Sequence, residues 1–178
     1  MPKPNLQQAL SVADPMLSDN FQLEISNIPG GGSDRALLLQ CKSAVKPGMT
    51  LTEVEVATFG HVLKHAGRLE YSHEMTVEYY ETHTGEITRI LERWLEWGRS
   101  HETQHGHFKN PADGSGYARD CYLTIFNQVG DVSLRYKLIN MWPSSVPDIS
   151  FDGSSVSNIT LSATFKYDAY SVVTSTVG

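Results

Sequence analysis

Apolar side chains return at every second position through most of this chain. Phe21, Leu23 and Ile25 alternate with Gln22, Glu24 and Ser26. Tyr71, His73, Met75, Val77 and Tyr79 share one parity, and Glu70, Ser72, Glu74, Thr76 and Glu78 the other. Cys121, Leu123 and Ile125 alternate with Tyr122, Thr124 and Phe126; Val132, Leu134, Tyr136 and Leu138 alternate with Ser133, Arg135 and Lys137. Ile159, Leu161, Ala163, Phe165 and Tyr167 close the series. A period of two is the repeat of a half-buried strand, which confines the chain to β architecture. About seven strands are expected on this pattern. Among them are a short apolar run from Leu37 to Cys41 and a strand over Leu51–Ala57. In the latter, Glu53 and Glu55 point one way and Thr52, Val54 and Val56 the other. A loop containing Gly60 and Gly67 is expected to join it to a strand over Leu69–Tyr80, as a long hairpin. Pro29 and Gly30-Gly31-Gly32 end the first strand in a flexible turn.

One segment keeps a different period. Ile87, Ile90, Leu91, Trp94 and Leu95 follow the i, i+3, i+4, i+7, i+8 spacing of an apolar helical stripe. Glu86, Glu92, Arg93 and Glu96 take the outer face. Thr84 is the expected cap at the start and Gly98 at the end, for a helix over about 85–98. Ser100–Gly116 is polar, rich in His and Gly, and reads as a long surface loop. Strands and helix do not alternate as βαβ units. The expected fold is therefore mainly β, an antiparallel β-sandwich or barrel-like domain with one packed α-helix. Residues 1–18 read as an N-terminal arm, 19–170 as the β domain and 171–178 as a C-terminal tail.

Charge excludes some functions. The 178 residues hold 14 Lys+Arg against 20 Asp+Glu, a formal net charge of −6. Wrapping nucleic acid needs a basic patch that displaces counterions, which this balance does not offer. The hydrophobic share of 40% marks a globular chain, and no apolar run approaches the ~18–20 residues of a membrane-spanning helix. Met1–Pro15 lacks the basic start and apolar stretch of a signal peptide. Cys41 and Cys121 are accordingly expected as unpaired thiols in a reducing compartment.

Two patterns invite a functional reading. His101-Glu102-Thr103-Gln104-His105 matches H-E-x-x-H, which on a helix sets two zinc-binding histidines one turn apart with Glu as general base. His107 is nearby, but the stretch lies between Gly98 and Gly106, where the helical period has stopped. Neither a G-x-S-x-G elbow nor a C-x-x-C pair is present, and the triple glycine lacks the Lys-Ser/Thr of a phosphate loop. No catalytic residue, metal or cofactor is expected; a zinc hydrolase built on His101 and His105 is the minor alternative. The second pattern is acidic. Glu53, Glu55, Glu70, Glu74 and Glu78 are placed on one face of two neighbouring strands, either as a solvated surface or as a negative field in use.

The C-terminal third carries a resemblance. Tyr136-Lys137-Leu138-Ile139-Asn140-Met141-Trp142-Pro143 holds an L-x-N-x-W-P turn. The last strand follows, ending Phe165-Lys166-Tyr167-Asp168. This combination resembles the end of the tail tube proteins of contractile-tailed, T-even-like bacteriophages. The opening strand Asn20–Ile25, the Gly60/Gly67 hairpin, the strand Thr76–Tyr80 and the helix with Trp94 are similar to that family in the same order. The loop 100–116 has no close counterpart. The resemblance implies a structural virion protein. Six copies form a ring, and rings stack into a tube inside the contractile sheath. Baseplate and terminator proteins close the ends, and DNA passes through the channel. It also implies assembly in the host bacterial cytoplasm and no membrane partner. The tube of a related injection machine, a type VI secretion system or tailocin, shares the same features. On this footing the five glutamates are expected at the channel surface, where a negative wall lets phosphates slide past. The arm, the triple-glycine loop and the 57–68 hairpin tip become candidate inter-subunit contacts.

Overall fold

The computed structural model describes residues 17–149, 154 and 157–173. Most of the expected arm, residues 1–16, and the end of the expected tail, 174–178, lie outside the described residues. Nine strands and two helices are assigned among the described residues. They run β1 (Phe21–Ile25), α1 (Asp34–Leu39), β2 (Cys41–Ala44), β3 (Thr50–Thr58), β4 (His61–Glu70), β5 (Glu74–Tyr80), α2 (Glu86–Gly98), β6 (Arg119–Phe126), β7 (Val132–Ser145), β8 (Thr160–Lys166) and β9 (Ala169–Val173).

Seven strands form one antiparallel sheet in the order β1-β6-β7-β8-β5-β2, with β9 also paired to β7. β7 is shared. Its residues 132–141 pair with β6 and 135–139 with β9, while 142–145 pair with β8. Asn140 lies at the register shift between the Leu138 and Met141 pairings, with φ 56, a left-handed conformation that Asn tolerates better than most residues. The register shift there swings β7 from one half of the sheet to the other. The folded sheet encloses Leu23, Met75, Val77, Tyr79, Leu138, Met141, Leu161, Ala163 and Phe165. α2 adds Ile87, Ile90, Leu91 and Trp94, with Trp94 against Phe165 at 5.9 Å between ring centroids. Each large apolar side chain so buried contributes about 1.5–3 kcal/mol from transfer alone. Leu95, the last member of the predicted stripe, is only half-buried.

Four expectations are corrected. The run at Leu37 is helical, not a strand: Ser33 caps α1, its hydroxyl accepting from Ala36 N at 3.2 Å, and only Leu37 of the turn is buried while Leu39 is 62% exposed. Thr84 does not cap α2, and Gly98 is its last helical residue, with Arg99 at the C-cap. The N-cap is Gly85 with φ 66, and Glu81 and Thr82 supply the acceptors from outside the helix. The triple glycine is not a flexible turn but a close-packed one: a Cβ on Gly32 would lie 2.9 Å from Ile90 Cγ2, and Gly30, at φ 77, sits against the Arg93 backbone.

The fourth correction reshapes the hairpin. Residues 61–68 are not a loop but most of strand β4, paired to β3 over Thr50–Thr58. The turn is the two residues Phe59-Gly60, both with positive φ. Gly67 lies inside β4 at a register shift opposite Thr52, where a Cβ would meet the Thr52 carbonyl oxygen at 2.8 Å. The predicted strand 69–80 is broken after Glu70, and His73, with φ 53, turns the chain into β5. β9 extends the strand system past residue 170.

Candidate assembly interface

The β3–β4 hairpin is a two-stranded sheet of its own. No strand among the described residues pairs with either outer edge. Leu51, Val54, Val56, Leu63 and Leu69 are exposed on it, Val62 is 61% exposed, and Phe59 at the tip is 98% exposed. An isolated two-stranded ribbon is marginal in water, and open strand edges seek partners. The sequence pattern places β3 as a strand but reads most of β4 as the connecting loop, and it passes over Phe59. A residue followed by Gly between two alternating runs was the available signal for a two-residue turn.

The structure distributes the five glutamates over three places. Glu53 and Glu55 share the hairpin face of Lys64, whose Nζ lies 2.8 Å from Glu53 Oε1 and 3.4 Å from Glu55 Oε1. Glu70 pairs with Thr50 beyond the register shift. The extra residue in β4 reverses parity there, so Glu70 takes the opposite hairpin face. Glu74 and Glu78 lie on the outward parity of β5, whose inward parity is the buried Met75, Val77 and Tyr79. Glu74 is ion-paired with Lys166, and Glu78 with Lys42 at 3.1 Å. Hydrogen bonding to Lys42 and its charge hold the Glu78 carboxyl below the usual glutamate range.

The motif residues form a joint instead of a surface. Asn140 Nδ2 donates to Asp168 Oδ2 at 2.8 Å, and Asp168 is ion-paired with Lys109 from the long loop. Lys109 and then Asn140 hold the Asp168 carboxyl below the ordinary aspartate value. Pro143 is buried, and Trp142 stands edge-on to Tyr117 at 5.7 Å between centroids. Phe165 and Tyr167 are core residues.

Segment 100–116 is tied down as well. Trp94 Nε1 donates to Tyr117 O at 2.6 Å and Trp97 Nε1 to Ser115 O at 2.9 Å. His107 stacks on Trp97 with centroids 4.0 Å apart and rings nearly parallel. The H-E-x-x-H match does not form a zinc site. Residues 101–103 make a turn, not a helix, and His101 Nδ1 lies 2.7 Å from Glu96 Oε1. Among the described residues no group of three or more His, Cys, Asp or Glu is arranged to hold a metal ion. No helix there is long and apolar enough to cross a membrane.

A sequence profile described as phage tail tube protein matches residues 11–173. The chain belongs to the phage tail tube protein family. Three solved structures share the tube-protein fold at low identity. The anti-feeding prophage cap, described as a tube-terminating cap, is 16% identical with a TM-score of 0.62, covering 93% of this chain and 95% of that one. The sheath–tube complex of an extracellular contractile injection system in its extended state is 15% identical with a TM-score of 0.61, covering 96% and 99%. The sheath/tube terminator of the same system is 15% identical with a TM-score of 0.63, covering 92% and 100%. A search of curated protein sequences returns no match. As a tail tube protein, the chain is a structural component of a contractile tail or a related injection machine.

Proposed function

We propose that six copies of this tail tube protein close into a ring and that rings stack into the conduit through which a phage ejects DNA. The observation that carries this reading is the β3–β4 hairpin, with two open edges and an apolar tip. Pairing with neighbouring copies removes both liabilities. A head-to-tail contact gives a ring where the rotation closes and a filament where it does not, and a tube requires one of each.

Glu53, Glu55, Glu74 and Glu78 contribute to the bore in this reading, while Glu70, on the opposite hairpin face, drops out of the expected acidic set. Lys64, Lys166 and Lys42 accompany the four that remain, so the wall is weakly rather than strongly negative. Such a wall offers phosphates no uncompensated cations to grip. The outer face of α2, with Glu86, Glu92, Arg93 and Glu96, is free for a sheath subunit, and baseplate and terminator proteins cap the ends. The role is structural and uses no cofactor. The protein acts in the virion after assembly in the host cytoplasm.

Negative-stain electron microscopy of the purified full chain over a concentration series tests the reading. Stacked rings or tubes are expected; a compact monomer at every concentration overturns it. A tube map placing Glu53, Glu55, Glu74 and Glu78 on the sheath side sinks the bore assignment alone.

A further inference from the structure

Building on the tube-assembly reading, we propose that Phe59 is an anchor that inserts into an aromatic pocket on a second copy of this chain. The position is unusual in two ways at once. Phe59 has φ 51, in the left-handed region that Asn, Asp and Gly favour and bulky residues rarely enter. Its partner in the turn, Gly60, has φ 78, so the two residues form the mirror-image turn for which Asn-Gly is the favoured pair. An aromatic ring is thus held at a strained position and is 98% exposed. Local stability gains nothing from it. Strain kept at an exposed tip points to a contact made elsewhere.

The body of the protein offers a matching receptor. Trp94, Leu95, Arg99, Tyr117, Trp142 and Pro143 line a cavity of about 350 Å³. Its walls include Trp142 and Tyr117, already edge-on to each other, an arrangement that a third ring extends favourably. The nine residues of β3 span about 30 Å at ~3.3 Å per residue, so the tip reaches well beyond its own base. Arg99, among the lining residues, offers the entering ring a cationic partner. The contact joins two different patches, hairpin tip to pocket, and so is the heterologous kind that propagates along a tube. A second cleft, between β1 and β2, is larger at about 800 Å³ and is lined by Phe21, Leu123, Ile125 and two lysines. It lacks the tryptophan and tyrosine walls.

Two variants separate anchoring from folding. Phe59→Asn installs the side chain that the turn prefers, so the hairpin is retained. Gly98→Leu fills the pocket from within the same chain; a Cβ there makes only ordinary contact, 3.8 Å from Tyr117 Cγ. Each variant is expected to keep the far-ultraviolet dichroism of the parent subunit. Each should raise the concentration needed for tube formation by about tenfold or more, as loss of an interface anchor does. In tubes carrying Phe59→benzoylphenylalanine, irradiation should link position 59 to the peptides holding Tyr117 or Trp142 of another copy. Tubes from both variants at the parent concentration overturn the proposal, as does a cross-link to the peptides of Phe21 or Leu123. Failure of the parent chain to form tubes is a different result, and it overturns the assembly reading on which the proposal rests.

Discussion

Glu81 caps α2 from a distance, and its removal is expected to loosen the helix in a pH-dependent way. Its Oε1 accepts from Thr82 N at 2.8 Å and Ile87 N at 3.1 Å, and its Oε2 accepts from Thr88 N at 2.8 Å and from the Thr88 hydroxyl. Two orphan N–H groups of the first helical turn depend on this one carboxylate. Losing a side-chain cap costs about 1 kcal/mol, and a negative charge at a helix start contributes about 0.3–1 kcal/mol more. With two amides served, Glu81→Ala should cost about 1.5–3 kcal/mol. At about 2–4 °C per kcal/mol for a domain of this size, that lowers Tm by about 3–12 °C. Glu81→Gln keeps one acceptor and should cost about half. The pH response fixes the cause. Burial raises the Glu81 pKa, but hydrogen bonds from Thr88, Thr82 and Ile87 outweigh it and hold the value below the ordinary 4.5. A depressed carboxylate pKa stabilises the fold fully above the unfolded value and loses that contribution as pH falls through the folded one. Thermal melts of the dilute subunit followed by circular dichroism, at pH 7 and at steps below pH 4.5, check this. The gap between parent and Glu81→Gln should be widest at pH 7 and shrink with acid. A Glu81→Ala melt within 1 °C of the parent, or a gap that ignores pH, refutes the reasoning.

Two other perturbations test the packing. Gly32→Ala places a methyl group 2.9 Å from Ile90 Cγ2 and 3.1 Å from its Cγ1, on a β-branched side chain of α2 that is already buried in the core. A loss of about 1–3 kcal/mol in denaturant unfolding is expected. The two thiols should be inert in the native subunit: burial pushes Cys41 up to about 12 and Cys121 well above its usual value. Titration with a disulfide reagent at pH 8 should therefore read no fast thiol until denaturant is added, and then two.

The joint at Asn140, Asp168 and Lys109 shows how a sequence motif can be right and its role unread. The L-x-N-x-W-P pattern marked the family, yet nothing in the string says that Asn140 bends β7 or that Lys109 arrives from a loop 59 residues away. The acidic residues show the same limit. Alternation assigned Glu53 and Glu55 to one face, and the pairing of β3 with β4 keeps them there. Glu70 left that face because one extra residue in β4 reverses parity, and no periodicity reveals where a ladder slips.

By itself the sequence determined the mainly β fold, the Ile87–Trp94 stripe of α2, the closing strand and the family, because side-chain period and short motifs are local properties. Tertiary structure decided the rest. α1 replaced a strand because Ser33 caps the turn and Leu37, its one buried residue, docks it on the core. The triple glycine became a packing surface because Ile90 and Arg93 stand against it. Residues 61–68 became a strand because β3 was there to pair with them. Each outcome depends on a neighbour distant in sequence, and that neighbour's position is fixed only when the sheet closes around its core.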